Sequence, residues 1–202
     1  MSSIKVYHGS YCEVQASSLS SGRSDADFGI GFYVTHNFSM AEKWASRKKP
    51  SIINEYELDT TNLCEYRFQL DKEWLDFVIQ NRNGFQVDDK YSEYDLLIGA
   101  TADDKLFSTL EQYESGLIDA ITAVKALNCM EVGEQICICT EKALNALKFA
   151  RSVELQGERL MSIRMEAKVD RKLADELTSK IIRESIARKN NEQSLDTMEV
   201  FK

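Results

Sequence analysis

The sequence predicts an α+β domain, and three observations predict it. Segments of strand character and segments of helical spacing follow one another in mixed order, without the regular strand–helix–strand alternation of a parallel sheet. The 202 residues are 43% apolar and 29% charged, the balance of a globular chain rather than of a disordered or bilayer-spanning one. A single proline, Pro50, excludes Pro-rich linkers and polyproline ligands, and no repeat or low-complexity tract interrupts the chain.

Taken in order, residues 4–10 (Ile-Lys-Val-Tyr-His-Gly-Ser) read as a strand ending at a glycine turn. After a Ser-rich loop, residues 28–35 read as a second strand entered through Gly29 and Gly31. Asn37 or Ser39 caps a helix over residues 40–47, with Pro50 just beyond its end. Residues 52–58 and 94–100 are further strand candidates, separated by a helix over 72–81 with Trp74, Phe77 and Val78 at helical spacing. Residues 106–127 predict one longer helix, 134–139 the last clear strand, and 141–147 a helix or turn. Beyond residue 160 there is no glycine or proline, and Met165, Val169, Leu173, Leu177 and Ile181 recur every four residues, an amphipathic helix.

Charge divides the chain. The net charge of -8 argues against a scaffold that holds nucleic acid by phosphate neutralisation. Residues 1–150 hold 14 basic and 23 acidic side chains, whereas 151–202 hold 11 and 10. Two segments with different jobs are therefore expected, a domain over 1–150 and a densely charged helical tail over 151–202. The five cysteines are odd in number and lack CxxC spacing, which argues against a disulfide framework or a structural zinc site. Cys137 and Cys139 alternate with Ile136 and Ile138 and read as buried thiols. Asp103-Asp104 reads as a loop or helix cap, and no metal is expected. The N-terminal residues carry no signal-peptide pattern and no apolar span, so a cytoplasmic location without membrane contact is expected.

Two segments carry the chemistry when read together. They are Tyr7-His8-Gly9-Ser10, and Gly31-Phe32-Tyr33-Val34-Thr35 followed by Ala41-Glu42-Lys43-Trp44-Ala45. In this order and spacing they resemble the ADP-ribosyltransferase fold of the diphtheria-toxin and poly(ADP-ribose) polymerase type. The resemblance is closer to an uncharacterised bacterial family of ADP-ribosyltransferase-like domains. It extends through Asp27-Phe28-Gly29, the Tyr94-Asp95 segment ending in Ala102-Asp103-Asp104, Glu134-Gln135-Ile136 and Thr140-Glu141-Lys142-Ala143-Leu144. It covers roughly residues 4–150 and leaves the tail outside. It implies split, packed β-sheets around an NAD cleft, with a helical insert and a C-terminal helical tail.

The resemblance also assigns roles. Departure of nicotinamide from NAD develops an oxocarbenium-like cation on the ribose, so a protein must fix the nicotinamide, orient the sugar and place electron density near the cation. By resemblance, His8 bonds ribose hydroxyls, and the Gly9 backbone pairs with the nicotinamide carboxamide, glycine letting the ligand approach closely. Tyr33 stacks on the nicotinamide, where cation–π attraction contributes about 1–2 kcal/mol. Trp44 matches the second aromatic of the pattern, with core packing as its alternative. The third element is a Glu on a late strand, and this chain offers Glu134 beside Gln135. Strand side chains alternate, so only one of the two faces the site. The bacterial family favours Gln135, which bonds the ribose but supplies no charge. Ser10 and Thr35 are expected in supporting hydrogen bonds. Arg23 is a candidate for an NAD phosphate, and Asp27 a brace for the glycine turn.

The expected activity is NAD-dependent transfer of ADP-ribose to a macromolecular acceptor, protein or nucleic acid, with release of nicotinamide. Proteins of this kind often act as toxins held by a cognate antitoxin. The alternatives are an NAD glycohydrolase and a non-catalytic NAD-binding module. For the tail, the alternatives are packing on its own domain and binding a partner.

Overall fold

A computed structural model of the protein describes residues 3–19, 25–102, 106–130 and 133–199, and their side chains apart from 106–108 and 191–199. Strand β1 (Ser3–Ser10) pairs antiparallel with β3 (Ile52–Asp59), and β3 with β7 (Leu147–Glu154). These form a three-stranded sheet in the order β1-β3-β7. The second sheet has the order β2-β6-β5-β4. In it, β2 (Phe32–Val34) and β5 (Leu96–Ala100) flank β6 (Glu134–Ile138), and β4 (Glu65–Arg67) lies parallel to β5 at the far edge. The architecture is α+β, with two sheets and six helices among the described residues.

Strand alternation sorts the side chains into layers. Val6, Phe32, Val34, Tyr56, Leu58, Ile98, Ile136 and Ile138 form the buried core between the two sheets. On the outer face of the second sheet, Leu97 and Cys137 join Trp74, Leu75, Phe77 and Val78 of α2 (Lys72–Arg82) in another core. On the outer face of the first, Ala41 and Ala45 of α1 (Phe38–Ser46) close over Ile53 together with Leu155 and Ile163. Asn37 is the cap of α1, its side chain accepting from the Met40 N–H.

Three expectations are corrected. The single helix over 106–127 is two, α3 (Leu106–Glu114) and α4 (Ala120–Leu127). Gly116 at φ +73 turns the chain between them, and Asp119 caps α4 through the Thr122 N–H. The expected strand over 28–35 shrinks to β2, because residues 27–31 fold into a loop tied to Tyr33. The expected boundary at residue 150 falls inside β7, whose Leu147–Glu154 run follows the short α5 (Glu141–Asn145).

The last element, α6 (Gly157–Glu199), is a helix of 43 residues. It lies against α1 and α4, and only the far end of its predicted apolar stripe, Leu177 and the core-packed Ile181, turns inward. Met165, Val169 and Leu173 are exposed, together with Met161. Ile163, Ala174 and Ile182 are the buried positions instead. Polar clasps hold the helix at its start: Arg159 forks onto the buried Glu42 carboxylate, and Arg164 Nε donates to the Ser46 carbonyl at 2.9 Å. No helix among the described residues is long and apolar enough to cross a membrane.

Candidate functional site

Among the described residues the two sheets are joined by a backbone bridge between Tyr7 and Thr35. Tyr7 N–H donates to the Thr35 carbonyl at 2.8 Å, and Thr35 N–H to the Tyr7 carbonyl at 2.9 Å. Were the pairing to continue, Gly9 would meet Tyr33 next. It does not continue, because the His8 ring takes the Tyr33 carbonyl through Nδ1 at 2.7 Å. By antiparallel alternation Gly9, like Tyr7, turns its N–H and C=O away from β3. They point into the gap that opens where β1 and β2 part.

That gap is the mouth of a cleft of about 1010 Å³. His8, Gly9, Ser10, Tyr33, Trp44 and Gln135 all line it. Six residues drawn from β1, β2, α1 and β6 thus meet around one space. Thr35 does not line it: fully buried, it donates through Oγ1 to the Glu134 carbonyl at 2.8 Å and accepts from Asn37 N–H at 3.0 Å. Its hydroxyl fastens the end of β2 to β6. Arg23 and Asp103-Asp104 lie outside the described residues.

The alternation of β6 separates Glu134 from Gln135. The Glu134 carboxylate pairs with Arg67 of β4 and lies 3.9 Å from His36 Nδ1. Gln135 turns to the cleft and is 4% exposed. Its Nε2 donates to Asp27 Oδ2 at 2.8 Å and to the Ala100 carbonyl at 3.3 Å. Asp27 in turn accepts from Arg82 Nε at 2.7 Å and from the Ala102 N–H at 2.9 Å. Asp27 does more than brace a glycine turn: it joins the loop, α2 and β6 in the cleft wall.

Burial sets the protonation states. Loss of water around His8 pushes its pKa below the usual imidazole range, outweighing the opposing bond to the Tyr33 carbonyl. The neutral ring donates through Nδ1 and keeps Nε2 as an acceptor. Burial also drives the Tyr33 phenol far above its ordinary value, so it stays protonated. That hydroxyl donates to the Gly29 carbonyl at 2.7 Å and accepts from Phe28 N–H at 3.0 Å. The phenol is thereby spent on the 27–31 loop. Cys137 is buried and its thiol pushed upward by the contact with Cys139 and by loss of water.

Gly9 is required for a reason other than ligand approach. A Cβ there would stand 2.5 Å from the Ala45 nitrogen and 2.7 Å from the Ala41 carbonyl oxygen, both backbone atoms of α1. The glycine lets α1 press onto β1, and this carries Trp44 to the rim. Residues just after β1 are held as firmly. The fully buried Asn54 accepts from Val14 N–H at 2.9 Å and donates to the Cys12 carbonyl at 3.1 Å.

Sequence reasoning missed several lining residues. Lys43, Arg47, Lys48 and Arg82 give the cleft basic groups, and Ala167, Asp170, Arg171 and Ala174 of α6 supply a wall. Lys43 Nζ bonds Asp170 Oδ2 at 2.7 Å across the junction of α1 and α6. Only the i, i+3, i+4 spacing of 167, 170, 171 and 174 hinted at a shared helix face. Among the described residues, no group of three or more His, Cys, Asp or Glu side chains is placed to hold a metal ion.

This α+β protein with a cleft at the parting of two sheets belongs to a known family. Residues 4–149 match the family described as "Protein of unknown function (DUF3990)", and the chain is a member of it. No curated protein and no solved structure matches the chain.

Proposed function

We propose that the protein is an NAD-dependent ADP-ribosyltransferase of the His-Tyr-Glu/Gln type, with the two sheets forming the split, packed arrangement of that fold. The observation that carries the reading is the meeting of His8, the outward-turned Gly9 backbone, the Tyr33 ring, Trp44 and Gln135 around one cleft. The cleft is at the upper end of the size range of small-molecule sites, roughly 300–1,000 Å³, as a dinucleotide needs. Neutral His8 accepts a ribose hydroxyl through Nε2, and the Gly9 N–H and C=O suit the complementary pair of a primary carboxamide. The Tyr33 and Trp44 rings suit a flat cationic ring. Basic side chains along the cleft offset the acidity of the whole chain where a diphosphate would lie.

A second reading, an NAD-binding module with little turnover, is favoured by the neutral Gln135, which cannot serve as a base. Hydrolysis of NAD by water is a third outcome of the same site. Incubation with labelled NAD and cell lysate separates them. Label on a macromolecule, lost in His8→Ala and Tyr33→Ala, supports transfer. Free ADP-ribose alone supports hydrolysis, NAD binding without either product supports the module, and no binding sinks all three. A growth-inhibitory role restrained by an antitoxin belongs to this proposal, and growth arrest on expression, relieved by His8→Ala, is its test.

A further inference from the structure

The proposed reaction asks a neutral amide to stand beside a developing cation, and the orientation of that amide matters. Both partners of Gln135 Nε2 are acceptors. One is Asp27 Oδ2 at 2.8 Å, part of a carboxylate paired with Arg82, and the other is the Ala100 carbonyl at 3.3 Å. Turning the amide over would set its oxygen against two oxygens, so Nε2 is fixed toward Asp27 and Ala100, and Oε1 is the end left without a bond to the described residues. Asp27 itself is overdetermined. Arg82 Nε donates to Oδ1 at 2.7 Å, and the Ala102 N–H donates to Oδ2 at 2.9 Å. It is 7% exposed, so neither water nor rotation relaxes the arrangement.

We infer that Asp27 is the positioning residue for Gln135, holding its amide so that Oε1 meets the ribose as an acceptor and polarising it through the Nε2–H···Oδ2 bond. A donated N–H in a weakly solvated setting strengthens the acceptor at the other end of the same amide. Asp27 also accepts from Arg82 Nε at 2.7 Å. The Asp27–Gln135 pair thus does in two residues what one carboxylate does on the late strand of the toxins. This inference rests on the NAD reading above for its substrate, though not for the geometry of the pair.

The test is a cycle of Asp27→Asn, Gln135→Leu and the double variant, read as nicotinamide release from NAD by the full chain, with circular dichroism for folding. Asparagine is isosteric but offers Gln135 a donor as well as an acceptor, so the amide loses its single orientation. Asp27→Asn lowers kcat tenfold or more with KM changed less than threefold, and the double variant falls no further than Gln135→Leu, because Asp27 acts only through Gln135. Wild-type kcat in Asp27→Asn, or losses that multiply, overturn the inference. Should Asp27→Asn not fold, or should the wild-type protein release no nicotinamide, the side-chain amide of Gln135 in the wild-type protein decides it by nuclear magnetic resonance. Absent turnover defeats the proposed function alone. Two slowly exchanging amide hydrogens on Gln135 uphold the positioning role, and rapidly exchanging ones overturn it.

Discussion

His8 Nδ1 lies 2.7 Å from the carbonyl oxygen of Tyr33, and that contact ends the pairing of β1 with β2 and opens the cleft. A side chain replaces a backbone donor, and the displaced Gly9 N–H becomes available to a ligand. Because a carbonyl only accepts, the same contact fixes the imidazole tautomer.

Acid sensitivity follows from His8. Burial holds its folded-state pKa below the ordinary imidazole value of about 6.5, so the unfolded chain binds the extra proton first as pH falls. The neutral ring's contribution is complete above about pH 6.5 and is lost as pH drops below it toward the folded-state value. Urea midpoints at pH 7.5 and 5.5 should differ more for the wild-type protein than for His8→Asn, which keeps a donor near Tyr33 without the titration. Equal differences would remove His8 from the account.

Gly9→Ala should destabilise the protein by about 1–3 kcal/mol, the cost of overpacking where backbone cannot move aside. The intruding methyl meets Ala45 N and Ala41 O of α1, so Trp44 shifts as well. Thermal melting gives the first effect and the emission of Trp44 the second. A protein with the wild-type melting temperature would contradict the close approach of α1 to β1.

Glu134 and Gln135 should separate cleanly. Glu134→Gln weakens the pair with Arg67 on the far side of β6 and should leave nicotinamide release within about threefold of wild type, since partly exposed pairs contribute little. Gln135→Leu should lower release by roughly 10²–10³-fold, the usual cost of removing a polar group aimed at the reacting centre. The reverse ranking would mean that the strand faces are exchanged.

The two faces of α6 make opposite predictions. Ile163 is 2% exposed and Met165 is 69% exposed. Ile163→Ala should cost about 2–4 kcal/mol by the usual penalty for a buried cavity, and Met165→Ala should stay within about 0.5 kcal/mol. Denaturant unfolding measures both.

Elements with strong local signals were legible. Residues of β1, β3, β5 and β6 carry apolar runs that tertiary packing uses directly, and Asn37 caps α1 through a local bond. The candidate site was legible as an ordered set of motifs. Part of that set turns out to be structural: Asp95 accepts from the Thr140 hydroxyl at 2.6 Å and from Cys64 N–H at 2.9 Å, tying β5 to the start of α5 and to the chain before β4. Illegible features depend on distant partners. β4 is three residues, two of them charged, and exists because β5 offers an edge. β7 is mostly exposed, and a bulge opposite Glu55 and Tyr56 breaks its alternation. The Asp27–Arg82 pair joins residues 55 apart, a separation no local pattern encodes. The buried positions of α6, Ile163, Ala174 and Ile182, are spaced off the four-residue repeat, so the first half of its apolar stripe pointed the wrong way.

The α6 wall also orders events in time. A chain emerging from the ribosome carries His8, Tyr33 and Gln135 long before it carries Ala167, Asp170, Arg171 and Ala174, which line the same cleft. The motif residues are all present once synthesis passes residue 144, yet residues lining the same cleft extend to Ala174. The cleft is therefore completed only by residues made after every motif residue of the domain.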